Sequence, residues 1–417
     1  MAVTEHDGGA VDRASDLDDV VAEADRYFRS CLPDDWVAAI DRGDLVSIGA
    51  LRREHDPDEI WAAIAAEGYL TPTWPKDQGG RDVSPKVASA ISRALGAYKM
   101  PRFNNTVGVD LVGPAILRWG TDEQKERFVR PIARHEDLWC QLFSEPGAGS
   151  DLAGLACRAV RDGDAWVVRG QKLWTSLGDI AAFGILLARS DPDVPKHSGI
   201  TAFLVPMDSE GITVRQVRQI TGDAEFCEVF LDDAHIDDSL RLGPVGEGWR
   251  VAQSVLMNER RSVAGSGASM PGTTAGRSIG ALIQRHSPLI DPTLRQRLVQ
   301  MYIEDRLVTL TNQRAAARRR AGQPPGPEGS VSKLFYSEHT QRLQNLAVDL
   351  EGTSAQAWTD GDRWMQGTAW SLLRVRAKTI AGGTSEVQRN ILGERILGLP
   401  KEPAVDRDIP WSQVRRS

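Results

Sequence analysis

The amino-acid sequence predicts a mixed α and β chain, ordered as helices, then an antiparallel β domain, then a helical bundle. Apolar residues recur at helical spacing from Leu17 to about Ile132. Short segments broken by turn residues occupy roughly Leu138 to Leu242, and helical spacing returns after Gly246-Glu-Gly248 to hold to about Leu397. With 417 residues the chain exceeds what one hydrophobic core usually supports. The expected division is a disordered start at 1–16, an N-terminal helical domain at 17–137, a middle β domain at 138–244 and a C-terminal helical bundle at 245–417.

The opening MAVTEHDGGAVDRASDLDD is acidic and lacks the basic region and apolar run of a secretory signal. No segment reaches the roughly 18 uninterrupted apolar residues of a membrane helix, so a cytoplasmic protein without membrane attachment is expected. Within the first domain, Asp56-Pro57-Asp58-Glu59 reads as an N-cap followed by proline and an acidic first turn, and Thr121-Asp-Glu-Gln124 as a capping box. Trp74-Pro75 and Gly79-Gly80 mark loops between helices.

In the middle, Ala156 to Arg161 and Ala165 to Arg169 flank the hairpin signal Asp162-Gly163-Asp164. Further strands are expected at Phe183 to Ala188, Thr201 to Val205, Ile212 to Val217 and Glu225 to Leu231. The C-terminal helical pattern is interrupted from Ser287-Pro288 to Asp291-Pro292 and again from Gly322 to Gly329; the second interruption is a loop between bundle helices.

A net charge of −7 argues against nucleic-acid binding, which needs a clustered basic surface. The one dense basic run, Arg318 to Arg320, closes a helical pattern, where cations suit the dipole. The four cysteines (Cys31, Cys140, Cys157, Cys227) form no CxxC pair, and the seven histidines include no HExxH, so no metal site is expected.

The stretch SEPGAGSD, Ser144 to Asp151, carries small residues and two hydroxyls that suit closure on a phosphate. A dinucleotide fingerprint would leave a strand, enter a helix and supply a third glycine, but Leu152 stands three after Gly149 and the chain continues into hairpins. No P-loop lysine follows. Alone, the stretch reads as a turn. It is followed, however, by Gly170-Gln-Lys172-Leu-Trp174-Thr-Ser176, then by strands, then by Asn258-Glu259-Arg260 on a helix and Gly382-Gly-Thr384-Ser-Glu386-Val-Gln388. In that order and spacing the set resembles the acyl-CoA dehydrogenase family, from about Trp61 to Leu399.

The resemblance implies an α-helical, β-barrel-like, α-helical architecture ending in a four-helix bundle, with FAD held between the middle and C-terminal domains. It lays Phe143 and Ser144 along the flavin, packs Trp174 against the isoalloxazine and sets Ser176 near N5; both serines stand where the family usually has threonine. Ser150 falls near the phosphates of CoA and is counted with the FAD-binding residues as well, and Thr384 and Glu386 contact FAD. An aromatic beside hydroxyl donors on a strand suits a flat, hydrogen-bonding ring. The Thr384 segment equally reads as a plain capped helix.

Oxidising an acyl thioester at Cα–Cβ requires a base for the α-proton, and a carboxylate in a dry pocket suits that task because burial raises its pKa. Many family members carry this glutamate directly before the C-terminal Gly-Thr, where this chain has Gly382. Isovaleryl-CoA and long-chain dehydrogenases instead place it on a third-domain helix before an arginine, a position matched by Glu259 and Arg260. Ala252, Val255, Leu256 and Val263 form an apolar stripe that Glu259 joins. The Gly382 backbone N–H remains available to the thioester carbonyl, with Arg260 on the substrate side. Gly276-Arg-Ser-Ile-Gly280 and Leu350-Glu-Gly352 depart from the family pattern where the FAD of a neighbouring subunit is gripped.

The expected function is therefore FAD-dependent α,β-dehydrogenation of an acyl-CoA to the trans-2-enoyl-CoA, with electrons passed to an electron-transfer flavoprotein. A homodimer or homotetramer is implied, with a heterotetramer as the variant. The alternatives are a flavin oxidase on the same fold and a non-catalytic partner subunit of a heterotetrameric dehydrogenase.

Overall fold

The computed structural model describes residues 14–101, 103–265, 290–320, 328–356, 368–404 and 406–414. Of the expected disordered start, residues 1–13 lie outside this set, as does Gly276-Arg-Ser-Ile-Gly280, while residues 14–16 open the first helix. The N-terminal region comprises α1 (Ala14–Cys31), α2 (Asp34–Arg42), α3 (Leu45–Glu54), α4 (Pro57–Ala66) and α5 (Pro85–Ala97), then a π-helical turn (Val107–Val112) that runs into α6 (Gly113–Trp119), and finally α7 (Asp122–Ala133). Phe28, Trp36, Ile64, Ile91 and Tyr98 fill the core among the first five.

Both helix starts read from the sequence are formed. Asp56 Oδ1 accepts the Asp58 N–H at 2.9 Å with Pro57 at the first helical position. Thr121 and Gln124 exchange side-chain and backbone bonds, each 3.2 Å. Gln124 also donates from Nε2 to the carbonyls of Ser239 (2.7 Å) and Arg241 (2.9 Å), so one amide starts α7 and fixes the end of the β domain. The loop between α4 and α5 closes tightly at Gly80, where a Cβ would lie 2.1 Å from the Trp74 carbonyl oxygen.

The β domain contains β1 (Trp139–Leu142), β2 (Arg158–Asp162), β3 (Ala165–Ser176), β4 (Phe183–Arg189), β5 (Ile200–Pro206), β6 (Ile212–Val217), β7 (Phe226–Asp237) and β8 (Arg241–Leu242). They form one sheet in the order β6-β7-β3-β2-β4-β5-β8, with β1 beside β4. The expected antiparallel, barrel-like domain is corrected on two counts. The sheet is open: its end strands β6 and β8 are not neighbours, and β8, two residues long, pairs only with Ala202 and Phe203 of β5. Closure needs strands long enough to tilt and stagger around an axis, and so short a terminal strand offers no such edge. The sheet is also mixed. β1 and β4 run parallel over Trp139–Leu142 and Phe183–Leu186, because the β2–β3 hairpin intervenes and returns the chain to the same end.

β4 and β5 are buried almost throughout, as befits strands covered on both faces. Helix α8 (Gly248–Gly265) packs Val251, Ala252 and Val255 into the same core as the sheet, the π-helical turn and α7. Asn105 joins these layers: its amide donates to the Asp137 carbonyl (2.8 Å) and accepts the Trp139 N–H (3.2 Å). The C-terminal region continues with helices Pro292–Arg320, Glu328–Glu351, Thr368–Arg374 and Ser385–Arg395, so the three-part order of helices, sheet and helices holds. Among the described residues, no helix is long and apolar enough to cross a membrane, and no group of histidine, cysteine and acidic side chains is placed to hold a metal ion.

Candidate active site

The glycine-rich stretch is held by a buried ion pair. Lys172, fully enclosed on β3, donates from Nζ to Glu145 Oε1 at 2.7 Å and to the Phe143 carbonyl at 3.2 Å. The Glu145 carboxylate in turn accepts the backbone N–H groups of Ala156 (2.7 Å) and Cys157 (2.9 Å). One strand position on, the Leu173 N–H donates to the Ser144 carbonyl at 2.9 Å. Phe143 and Ser144 are thereby stitched to β3 immediately before Trp174.

Trp174 owes its aim to a β-bulge. Between Lys172 and Thr175, β3 advances three residues while β7 advances two, from Val229 to Cys227. The extra residue is absorbed with Trp174 in the left-handed region at φ 63°, a conformation that costs a non-glycine residue about 1–3 kcal/mol and recurs at functional sites. The indole is 56% exposed rather than part of the core and meets Phe226 edge-on at 5.9 Å. Ser144 and Ser176 are half-buried on either side in sequence, and the Thr175 hydroxyl is buried without a hydrogen-bond partner.

Phe226 also connects this face to the C-terminal helices. The Arg374 guanidinium lies over its ring at 5.3 Å, pairs with Glu225 and donates to Gln219 Oε1 at 2.9 Å. Nearby, the Trp370 indole N–H donates to Asp223 at 2.7 Å.

The second motif starts the helix Ser385–Arg395. Gly382 and Gly383 adopt φ values of 66° and 90°, and Thr384 Oγ1 caps the Val387 N–H at 3.2 Å. Thr384, Ser385 and Glu386 border a cavity of about 600 Å³ whose other wall is helix Glu328–Glu351, at Gln341, Arg342 and Asn345. Glu386 is exposed; its own backbone N–H and then the Thr384 hydroxyl hold its carboxyl below the usual range. Ser385 presents a buried hydroxyl without a hydrogen-bond partner. These donors fit FAD: a helix N-terminus and an unpaired hydroxyl suit phosphate or ribityl oxygens, and an exposed indole backed by a hydroxyl suits the ring.

The structure thus brings Phe143 and Ser144 to Trp174, and sets Thr384 and Glu386 on one cavity. Ser150 is exposed on a bend, and Gly382 is exposed. Glu259 and Arg260 lie in α8, but their side chains lie outside the described residues. Asn258, directly before them, borders a second cavity of about 540 Å³, together with Thr71, Trp74, Asp110 and Arg118.

Sequence reading missed the Lys172–Glu145 pair, although a signal was present. Lys172 falls in phase with the buried Trp166 and Val168 on β3, and a cation at an inward position demands a buried acceptor. The Phe226–Arg374 contact spans 148 positions along the chain and has no local signature.

Comparison with known proteins gives consistent matches along the chain. Residues 47–136, 140–234 and 246–397 match the acyl-CoA dehydrogenase N-terminal, middle and C-terminal domains. The chain is 40% identical over 341 residues to the acyl-CoA dehydrogenase FadE34 of Mycobacterium tuberculosis, covering 81% of this chain but 46% of that relative. It is 38% identical over 364 residues to the acyl-CoA dehydrogenase IpdE1 of the same organism, covering 86% of this chain and 93% of the relative. Among solved structures, a steroid acyl-CoA dehydrogenase, Tcur3481–Tcur3483, superposes with a TM-score of 0.75 at 26% identity, over 94% of this chain and 100% of that one.

Proposed function

The chain belongs to the acyl-CoA dehydrogenase family, and from that premise we propose that Glu259 is the base that takes the α-proton of its acyl-CoA substrate. The enzyme is an FAD-dependent oxidoreductase of the CH–CH class that delivers electrons to an electron-transfer flavoprotein. FAD, when bound, supplies the acceptor for the hydride leaving Cβ; the chain's own residues bind, orient and deprotonate.

The observation that carries this reading is Gly382. At φ 66° and exposed, it occupies a conformation that favours glycine over glutamate, so the proton acceptor has to come from elsewhere. Support for Glu259 is its register: it follows the buried Val255 by four residues on α8 and adjoins Asn258 on the 540 Å³ cavity. Burial raises the pKa of a carboxylate and makes it a stronger base.

The other assignments follow. Phe143, Trp174 and the hydroxyls of Ser144 and Ser176 hold the flavin ring, and Thr384 and Glu386 its more distant atoms. Ser150 is assigned to a CoA phosphate, Arg260 to the substrate, and the Gly382 N–H to the thioester carbonyl, where a donor stabilises the developing enolate. The domains run 17–137, 138–244 and 245–417, a division supported by the matched family ranges. The steroid-directed structural relative favours a bulky or ring-bearing acyl group, and the assembly is a homodimer or homotetramer, with a heterotetramer as the variant.

Glu259→Gln tests the base. Anaerobic bleaching of the flavin by acyl-CoA is expected to slow by roughly 10²-fold or more while flavin content stays at the parent level; unchanged bleaching removes Glu259 from the mechanism. Gly382 also favours a second reading, a partner subunit that lacks the reaction. The chain purified alone decides between them, since a yellow protein that bleaches with an acyl-CoA excludes a partner-only role.

A further inference from the structure

After the last long helix the chain does not trail away: residues 406–414 cross to the β domain and lie against the far end of the phosphate loop. Trp411 is 8% exposed. Its indole N–H donates to the Gly154 carbonyl (3.3 Å), and its ring lies 4.6 Å from the guanidinium of the buried Arg189. Arg189 donates to the carbonyls of Ala153 (2.6 Å) and Leu155 (3.2 Å), so the aromatic ring backs the cation that organises residues 153–155. The Trp411 N–H bonds the Val194 carbonyl at 2.9 Å and the Ser412 N–H the Pro192 carbonyl at 2.8 Å, which adds a short strand-like pairing. At the other end of the segment, the Lys196 ammonium is shared between Asp406 (2.7 Å) and Asp151 (3.0 Å).

Burial works against that ammonium, but its bonds to Asp406 and Asp151 outweigh it and raise the Lys196 pKa. The bridge is therefore charged at neutral pH. Asp151 directly follows Ser150, and Ala153 to Leu155 complete the turn that leads into β2. Residues 406–414 consequently hold the chain just after the Ser150 bend, at Asp151 through Lys196 and at Gly154 directly. One residue beyond Lys196, His197 packs edge-on against Trp249 in the first turn of α8, at 4.9 Å. The strap, the phosphate loop and the base of α8 thus share one packed patch.

We propose that residues 406–414 form a C-terminal strap that positions the Ser150 bend for the CoA phosphates, making Trp411 and Asp406 positioning residues for substrate affinity. The inference rests on the reading of Ser150 as a CoA contact. The Glu145–Ala148 backbone bonds fix the chain before the bend and the strap fixes it after; a bend so held presents its hydroxyl in one place, whereas a free one must be ordered by each arriving substrate, and that cost appears in binding rather than in the chemical step.

Steady-state kinetics on the full-length holoenzyme test it. Trp411→Ala should raise KM for acyl-CoA roughly tenfold with kcat and flavin content near the parent values, and Trp411→Phe, which keeps a ring over Arg189, should recover most of the loss. Asp406→Lys serves where Trp411→Ala does not fold. It adds positive charge beside the loop, which by itself would lower KM for an anionic CoA, so a rise in KM reports release of the strap. A lowered melting temperature with unaltered KM, or a fall in KM for Asp406→Lys, overturns the proposal. Ser150→Ala separates the two layers of argument. If it raises KM while the strap variants do not, the strap falls alone; if neither changes KM, the assignment of Ser150 falls with it.

Discussion

Lys172→Met isolates the clamp beneath Phe143 and Ser144. The parent ammonium is fully buried and has two acceptors, the Phe143 carbonyl and Glu145. Removing it leaves a carboxylate whose side chain is 7% exposed, with only the N–H groups of Ala156 and Cys157 to balance its charge. Breaking a buried pair from one side costs about 3–5 kcal/mol, and the two retained N–H bonds set the expectation near the lower end, about 3 kcal/mol. In the double variant Lys172→Met with Glu145→Gln no unpaired charge remains, and the cost falls to about 1–2 kcal/mol. The assay is urea unfolding followed by tryptophan fluorescence, with flavin release recorded in parallel. Both variants lose the Lys172 bond to the Phe143 carbonyl and keep the Leu173 bond to Ser144, but only the single variant leaves the Glu145 charge unpaired beneath that stretch, so its flavin should leave at a lower urea concentration than in the double variant. A Lys172→Met protein that unfolds within about 1 kcal/mol of the parent and keeps its flavin refutes the reasoning.

Stability should also respond to alkaline pH through Lys378, whose pKa is lowered from 10.5 to about 8 by burial first and then by Arg374 and Lys333. Between about pH 8 and 10.5 the unfolded chain holds a proton there that the folded chain has released, so stability rises with pH across that window; urea midpoints at stepped pH should show the rise, and Lys378→Met should flatten it. Beside the cavity at Thr384, Gly383→Ala forces a side chain into φ 90° and sets its Cβ 2.6 Å from Gln388 Nε2. A loss of about 1–3 kcal/mol is expected, with earlier flavin release on heating; a variant as stable as the parent would show that the turn relaxes freely.

What the sequence makes legible is local. The Thr121–Gln124 box and the Gly163 hairpin are written in adjacent residues, and both form as expected. Ile212–Val217 carries its own alternation and emerges with those bounds. Strand β1 went unread because four residues, Trp139–Leu142, are too few to display a period. The same limit hid the sheet's openness, which depends on which strands end up neighbours. For the candidate site, the motifs marked loops and a helix start, since hydroxyls and glycines at turns announce themselves. The groups that hold those loops, Lys172, Glu145, Arg189 and Trp411, act through partners brought together only by folding.

The unclosed sheet leaves β6 with one row of backbone donors and acceptors facing away from β7, a template on which a strand from another molecule can assemble. Thr213, Arg215 and Gln216 are exposed along it, and the Arg215 guanidinium folds back over Phe230 at 5.1 Å, shielding the neighbouring ring. Hydration and charge, rather than geometry, oppose self-association through that border, and the opposition rests on a few polar side chains.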